Sequence, residues 1–69
     1  MLPNLCAEMA RAKITKADIA RVIGKSPKTV YEKIKTDSFL YKEAVLIRDN
    51  LFPDLSLNYL FNTDPIKEG

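Results

Sequence analysis

The sequence predicts an all-α protein of five short helices. Apolar residues recur every three or four positions along most of the 69-residue chain, which is the period of amphipathic helices. Helix-start residues, Thr15 and Ser26, precede two of these segments, and Gly24 lies between them. A chain of this length forms one domain, so we predict a domain over residues 1–62 and a flexible C-terminal tail over 63–69.

Composition and the distribution of apolar residues argue against a disordered or a membrane-spanning protein. With 46% hydrophobic and 29% charged residues, the chain is too apolar for a disordered segment. No apolar run approaches the roughly 20 residues that a membrane helix needs, and the N-terminal residues do not resemble a signal peptide. The single cysteine, Cys6, suits a reducing interior. We therefore expect a cytoplasmic protein with no membrane partner.

The first predicted helix begins near Pro3, a residue that suits the first turn because it lacks the N–H group that would be unpaired there. Leu2, Leu5, Cys6 and Met9 follow helical spacing and predict an inward stripe. The Cys6 thiol has no histidine in the chain to activate it as a nucleophile, so a core role is favoured.

The second predicted helix begins after Thr15, whose hydroxyl can cap the next turn, with Asp18 three residues on as in a capping box. Gly24 predicts its end because glycine adopts the left-handed conformation at little cost. Its inward face is predicted to consist of Ile19, Ala20 and Ile23.

Ser26 and Pro27 predict the start of the third helix. If Val30 and Ile34 point inward, the helical period places five side chains outward or at the flanks. These are Lys28, Thr29, Tyr31, Glu32 and Lys35. Such a face can donate to guanine, accept from cytosine and contact phosphates, but the same residues also suit an ordinary solvated surface.

Phe39 is expected to bury as an anchor before a fourth helix over residues 41–51. The predicted inward face of that helix is Leu40, Ala44, Ile47 and Leu51. Val45 and Leu46 fall outside this face, which indicates either a second covered side or a subunit contact.

Pro53 ends the fourth helix, and either Asp54 or Ser56 caps a short fifth helix. That helix carries the apolar residues Leu57, Leu60 and Phe61. Its aromatic rings, Tyr59 and Phe61, either complete the core or form a contact between subunits.

Charge is distributed unevenly along the chain. Residues 11–36 hold eight Lys or Arg against two acidic residues, a net charge of +6, whereas the remainder holds three against seven, a net charge of −4. A domain polarised in this way is expected to present one face to a polyanion.

Taken together, Thr15 to Ile34 resembles the helix-turn-helix of lambda-repressor-like regulators of the Cro/C1 or XRE type. The whole chain, including the FPDLSLNYLF segment at 52–61, resembles short Cro-like prophage proteins. In that family the first residue of helix two, here Lys16, commonly contacts a phosphate, and early outward positions of helix three read bases. The resemblance implies a recognition helix over 27–35 in the major groove. The candidate DNA-binding residues are Lys16, Lys25, Ser26, Lys28, Thr29, Tyr31, Glu32 and Lys35.

The resemblance also implies a transcriptional repressor in a bacterial host cell, acting as a homodimer on a double-stranded DNA operator. The chain departs from the family pattern at Lys33, where an apolar residue is usual, and at Lys16, where glutamine is usual. Ile34 is expected to take the inward role in place of Lys33.

Enzymatic function is not expected. The chain contains no histidine and only two glycines, so it lacks the commonest general base and any glycine-rich phosphate loop. We predict no cofactor and no metal. Two alternatives to the repressor remain open: a phage switch modulator or antirepressor that binds the main repressor protein, and a fragment of a longer repressor.

Overall fold

The structure is a computed structural model that describes residues 2–62, and in this range it contains five α-helices and no strand. The helices are α1 Pro3–Ala12, α2 Lys16–Ile23, α3 Pro27–Thr36, α4 Tyr41–Leu51 and α5 Leu57–Leu60. The all-α prediction is thus confirmed for the described residues, whereas the predicted tail lies outside them. None of the five helices is long and apolar enough to span a membrane.

The predicted helix starts and the stop at Gly24 are confirmed. Thr15 and Asp18 form a reciprocal capping box: the Thr15 hydroxyl accepts from the Asp18 N–H at 3.2 Å, and the Asp18 carboxylate accepts from the Thr15 N–H at 2.9 Å. The second of these bonds is the largest cause of a lowered pKa for Asp18. Gly24 ends α2 in the left-handed conformation with φ of 72°. Ser56, rather than Asp54, caps α5 by accepting from the Tyr59 N–H at 3.0 Å.

Helix α2 packs against both α3 and α4, and α5 packs against both α1 and α4. The inward faces predicted for α1, α2 and α3 supply most of the core, although Cys6 and Ile23 are only half-buried. Ten buried side chains form the core cluster: Leu2, Leu5, Met9, Ile19, Ala20, Val30, Ile34, Ile47, Phe52 and Leu60. The cluster joins all of the helices and so fixes how α2 and α3 sit against the rest.

The prediction for α4 was wrong at one position. Leu40 is 52% exposed because it precedes the helix as its N-cap, where helical spacing no longer applies. The inward position of the first turn is taken by Glu43, which is 3% exposed. Outside the predicted face, Val45 is half-buried and Leu46 is exposed.

The C-terminal helix is tied to the N-terminal one. The Tyr59 hydroxyl donates to the Glu8 carboxylate at 2.8 Å, which raises the pKa of Tyr59, and the Asn4 side-chain amide donates to the Tyr59 carbonyl at 2.8 Å. Phe61 packs edge-to-face on Phe39 with ring centroids 5.6 Å apart. Both C-terminal aromatic residues, Tyr59 and Phe61, therefore make contacts within one chain.

Candidate nucleic-acid interface

The candidate interface consists of α2, α3 and the three residues that join them. Because Gly24 is left-handed, the chain reverses tightly, and the Lys25 N–H donates to the Ala20 carbonyl at 3.0 Å. Ser26 then begins α3 at once, as its hydroxyl accepts from the Thr29 N–H at 3.2 Å. Short local hydrogen bonds thus hold the turn between the two helices.

Seven of the eight candidate DNA-binding residues are exposed, and the eighth, Thr29, is half-buried. Val30 and Ile34 point into the core as predicted, so the outer face of α3 is correctly assigned. Lys28 and Glu32 lie on that face with open access to solvent. Their ammonium and carboxylate groups provide one donor and one acceptor for the edges of bases.

Ser26 and Thr29 have an additional structural role. Their hydroxyl groups lie 3.0 Å apart in a hydrogen bond, and the Ser26 oxygen also accepts from the Thr29 backbone. The sequence correctly predicted the cap at Ser26, but the bond between the two side chains was not predicted. Both hydroxyls are therefore held in place at the first turn of α3.

Lys16, Tyr31 and Lys35 lie together on the flank of α3 that faces α2. The Lys16 ammonium lies 5.9 Å from the centroid of the Tyr31 ring, within the range of a cation–π interaction. All three side chains line a cleft of about 360 Å³ with Cys6 and Ile34. The first residue of α2 is thereby positioned next to the exposed face of α3.

Ion pairs reduce the free positive charge of residues 11–36. Three of the eight cations pair with carboxylates: Arg11 with Glu8, Arg21 with Asp18, and Lys33 with Glu43. The other five form no ion pair with any residue from 2 to 62. These are Lys13, Lys16, Lys25, Lys28 and Lys35. Four of the five are candidate DNA-binding residues on α2, on α3 or in the turn between them.

The pair of Lys33 and Glu43 was not predicted. The Lys33 ammonium lies 3.1 Å from the Glu43 carboxylate, and the same carboxylate oxygen accepts from the Leu40 N–H at 2.9 Å. Burial alone would raise the pKa of Glu43, but these two hydrogen bonds and the positive charges of Lys33 and Lys25 lower it. The charge of Lys33 is thus neutralised by a carboxylate of α4.

Comparisons with protein-family models, with curated proteins and with solved structures found no match to this chain. Within residues 2–62, no three histidine, cysteine or acidic side chains are grouped so that they could hold a metal ion.

Proposed function

We propose that this protein is a sequence-specific DNA-binding transcriptional regulator of the lambda-repressor-like type, acting as a Cro-like phage or prophage repressor. The observation that supports this most is the capped helix pair, α2 and α3, which displays around one exposed helix face several lysines that form no ion pair with residues 2–62. Positive charge in that arrangement suits the phosphates that flank a groove.

In the proposed mechanism α3 enters the major groove, which is wide enough for one helix. Lys28 donates to a guanine and Glu32 accepts from a cytosine, since both side chains are exposed at the outer centre of the helix. Lys16, Lys25 and Lys35 contact phosphates on either side. These contacts orient α3, and the base contacts supply specificity.

One copy offers limited contact area, so the proposal includes a homodimer on a pseudo-palindromic operator. Two half-sites about one helical turn apart would each receive one α3. Occupation of a promoter then represses transcription.

A second candidate function is a modulator that binds the main phage repressor protein. It is favoured by apolar side chains on a different part of the surface, where Leu40 is 52% and Tyr41 is 77% exposed. Tyr41 also borders a groove of about 670 Å³ between the start of α4 and the end of α5, whose walls include Phe39, Leu57 and Phe61. An exposed apolar surface of this kind suits a protein partner.

The test is a gel-shift assay with the promoter region beside the protein's own gene, with and without the neighbouring repressor. A shift by the protein alone supports the repressor, and a shift only in the presence of the other protein supports the modulator. Lys28→Ala should weaken the shift, whereas Lys42→Ala, which removes an exposed lysine of α4, serves as the matched control. A shift that is equal for both variants contradicts the proposal that the outer face of α3 contacts DNA.

A further inference from the structure

Two clefts meet on the side of α3 that faces α1 and α2. The first is the cleft of about 360 Å³ that contains Lys16, Tyr31 and Lys35. The second, of about 510 Å³, runs along α1 and the start of α2. Both are lined by Cys6 and Lys16, so the two clefts adjoin at these side chains, and together they are called the groove below.

The two ends of this groove differ in chemistry. The far end is the cleft of about 510 Å³, where Met9 and Ile14 are the larger apolar side chains and, within residues 2–62, only Lys16 carries a charge. At the near end, Lys16 and Lys35 stand beside the apolar surfaces of Tyr31 and Ile34, and neither lysine is paired with a carboxylate of residues 2–62. Two adjoining apolar clefts, one of which also holds two cations, match a single-chain amphiphilic anion.

We propose that this groove binds a free medium-chain fatty carboxylate. Its carboxylate lies between the Lys16 and Lys35 ammonium groups, and its alkyl chain passes Cys6 toward Met9 and Ile14. The volumes of the two clefts lie in the range of small-molecule sites. A neutral molecule of the same length would lose the contact with the ammonium groups, and a cation would be repelled by them.

Binding at this groove would also regulate the protein. Lys16 and Lys35 are phosphate contacts in the proposed function, so a carboxylate between them competes with DNA for the same two charges. This regulatory step rests on the proposed function, whereas binding of the carboxylate does not.

The first experiment uses Cys6 as a reporter, because it is the only cysteine in the chain and lines both clefts. Its alkylation by iodoacetamide is followed by mass spectrometry with decanoate, 1-decanol or decyltrimethylammonium present. Decanoate is expected to slow alkylation at least fivefold in a saturable manner, and the other two less than twofold. No protection by decanoate, or equal protection by all three, would overturn the proposal.

Two lysine variants then test whether the Lys35 ammonium group binds the carboxylate. Lys35→Met keeps an unbranched side chain but removes the ammonium group, so the decanoate concentration for half-protection should rise at least fivefold. Lys42→Met removes a lysine outside the groove and should leave that concentration unchanged. Both variants are first checked for unchanged circular dichroism and for unchanged alkylation of Cys6 without ligand. Equal decanoate dependence in the two variants would overturn the role of Lys35.

The last experiment separates this site from DNA binding. Decanoate should raise the apparent Kd of the wild-type protein for its promoter DNA over the same concentrations that protect Cys6. If decanoate protects Cys6 but the protein does not bind DNA, the proposed function is refuted and the proposal of carboxylate binding stands. If the protein binds DNA but decanoate does not protect Cys6, only the proposal of carboxylate binding is refuted.

Discussion

Lys33 and Lys35 are close neighbours on α3, yet they lie in opposite environments. The Lys33 side chain is 17% exposed and its ammonium pairs with Glu43 of α4 at 3.1 Å. Lys35 is exposed and borders the cleft that it shares with Lys16 and Tyr31. The two contribute equally to the +6 charge of residues 11–36, but among residues 2–62 only Lys33 has a carboxylate partner. The flank of α3 toward α4 is therefore structural, and the flank toward α2 is the candidate for binding.

The largest expected effect is a loss of stability, and it tests the flank of α3 that faces α4. Glu43→Ala removes the cap of α4 and leaves the half-buried Lys33 ammonium unpaired, so the free energy of unfolding should fall by about 2–4 kcal/mol. Urea denaturation measures this loss. Lys35→Ala is the matched control and should change stability by less than about 0.5 kcal/mol. Similar losses in both variants would show that the flanks do not differ as described.

The next effect concerns the outer face of α3 between the two flanks. If Lys28 reads a base, Lys28→Ala should relax preference at particular operator positions by about 1–3 kcal/mol. Affinity measured across a set of single-base operator variants distinguishes a base contact of Lys28 from a phosphate contact. An equal loss on every sequence would assign Lys28 to phosphate contact instead.

A smaller effect, on the salt dependence of DNA affinity, distinguishes Lys33 from Lys35 directly. Lys35→Met should reduce the slope of log affinity against log salt by about one, because one phosphate contact is lost, and should leave stability unchanged. Lys33→Met should leave the slope unchanged and lower stability, because Glu43 loses its partner. Titrations at several salt concentrations give the slopes. The comparison fails if Lys33→Met alone reduces the slope.

The smallest effect is expected in the pH dependence of stability. The pKa of Glu43 is lowered from its ordinary value of 4.5, because burial is outweighed by hydrogen bonds from Leu40 and Lys33. Its ionised form therefore stabilises the fold above about pH 4.5, and this contribution is lost as the pH falls through the lower folded-state pKa. Glu43→Gln lacks the ionisation, so its difference in unfolding free energy from the wild type should shrink in acid. A difference that stays constant on both sides of pH 4.5 would contradict this assignment.

Local chemistry explains which parts of the fold the sequence could predict. The caps at Thr15 and Ser26 and the stop at Gly24 depend on residues within one turn, and all three were correctly predicted. The exposure of Leu40 was missed because helical periodicity does not extend to a residue before the first turn. The fold class therefore followed from patterns that need no tertiary information.

The candidate site was predictable only in part. The outward face of α3 follows from helical periodicity once the inward positions are assigned. The contact of Lys16 with the Tyr31 ring joins two helices, and so does the pair of Lys33 and Glu43. Neither follows from sequence spacing, because both depend on how α3 packs against its neighbours. Sequence reasoning could list the cations but could not say which of them were already neutralised.

The four-residue helix α5 has a consequence for the cooperativity of the whole chain. A segment this short is not stable on its own, since isolated helices need about 12–15 residues even to be marginal. It persists because Leu60 is fully buried and because Tyr59 is bonded to Glu8 of α1. The Leu60 amide, which donates to the Ser56 carbonyl at 3.1 Å, should therefore exchange with solvent only when the entire domain unfolds. The shortest helix thus becomes a reporter of global stability.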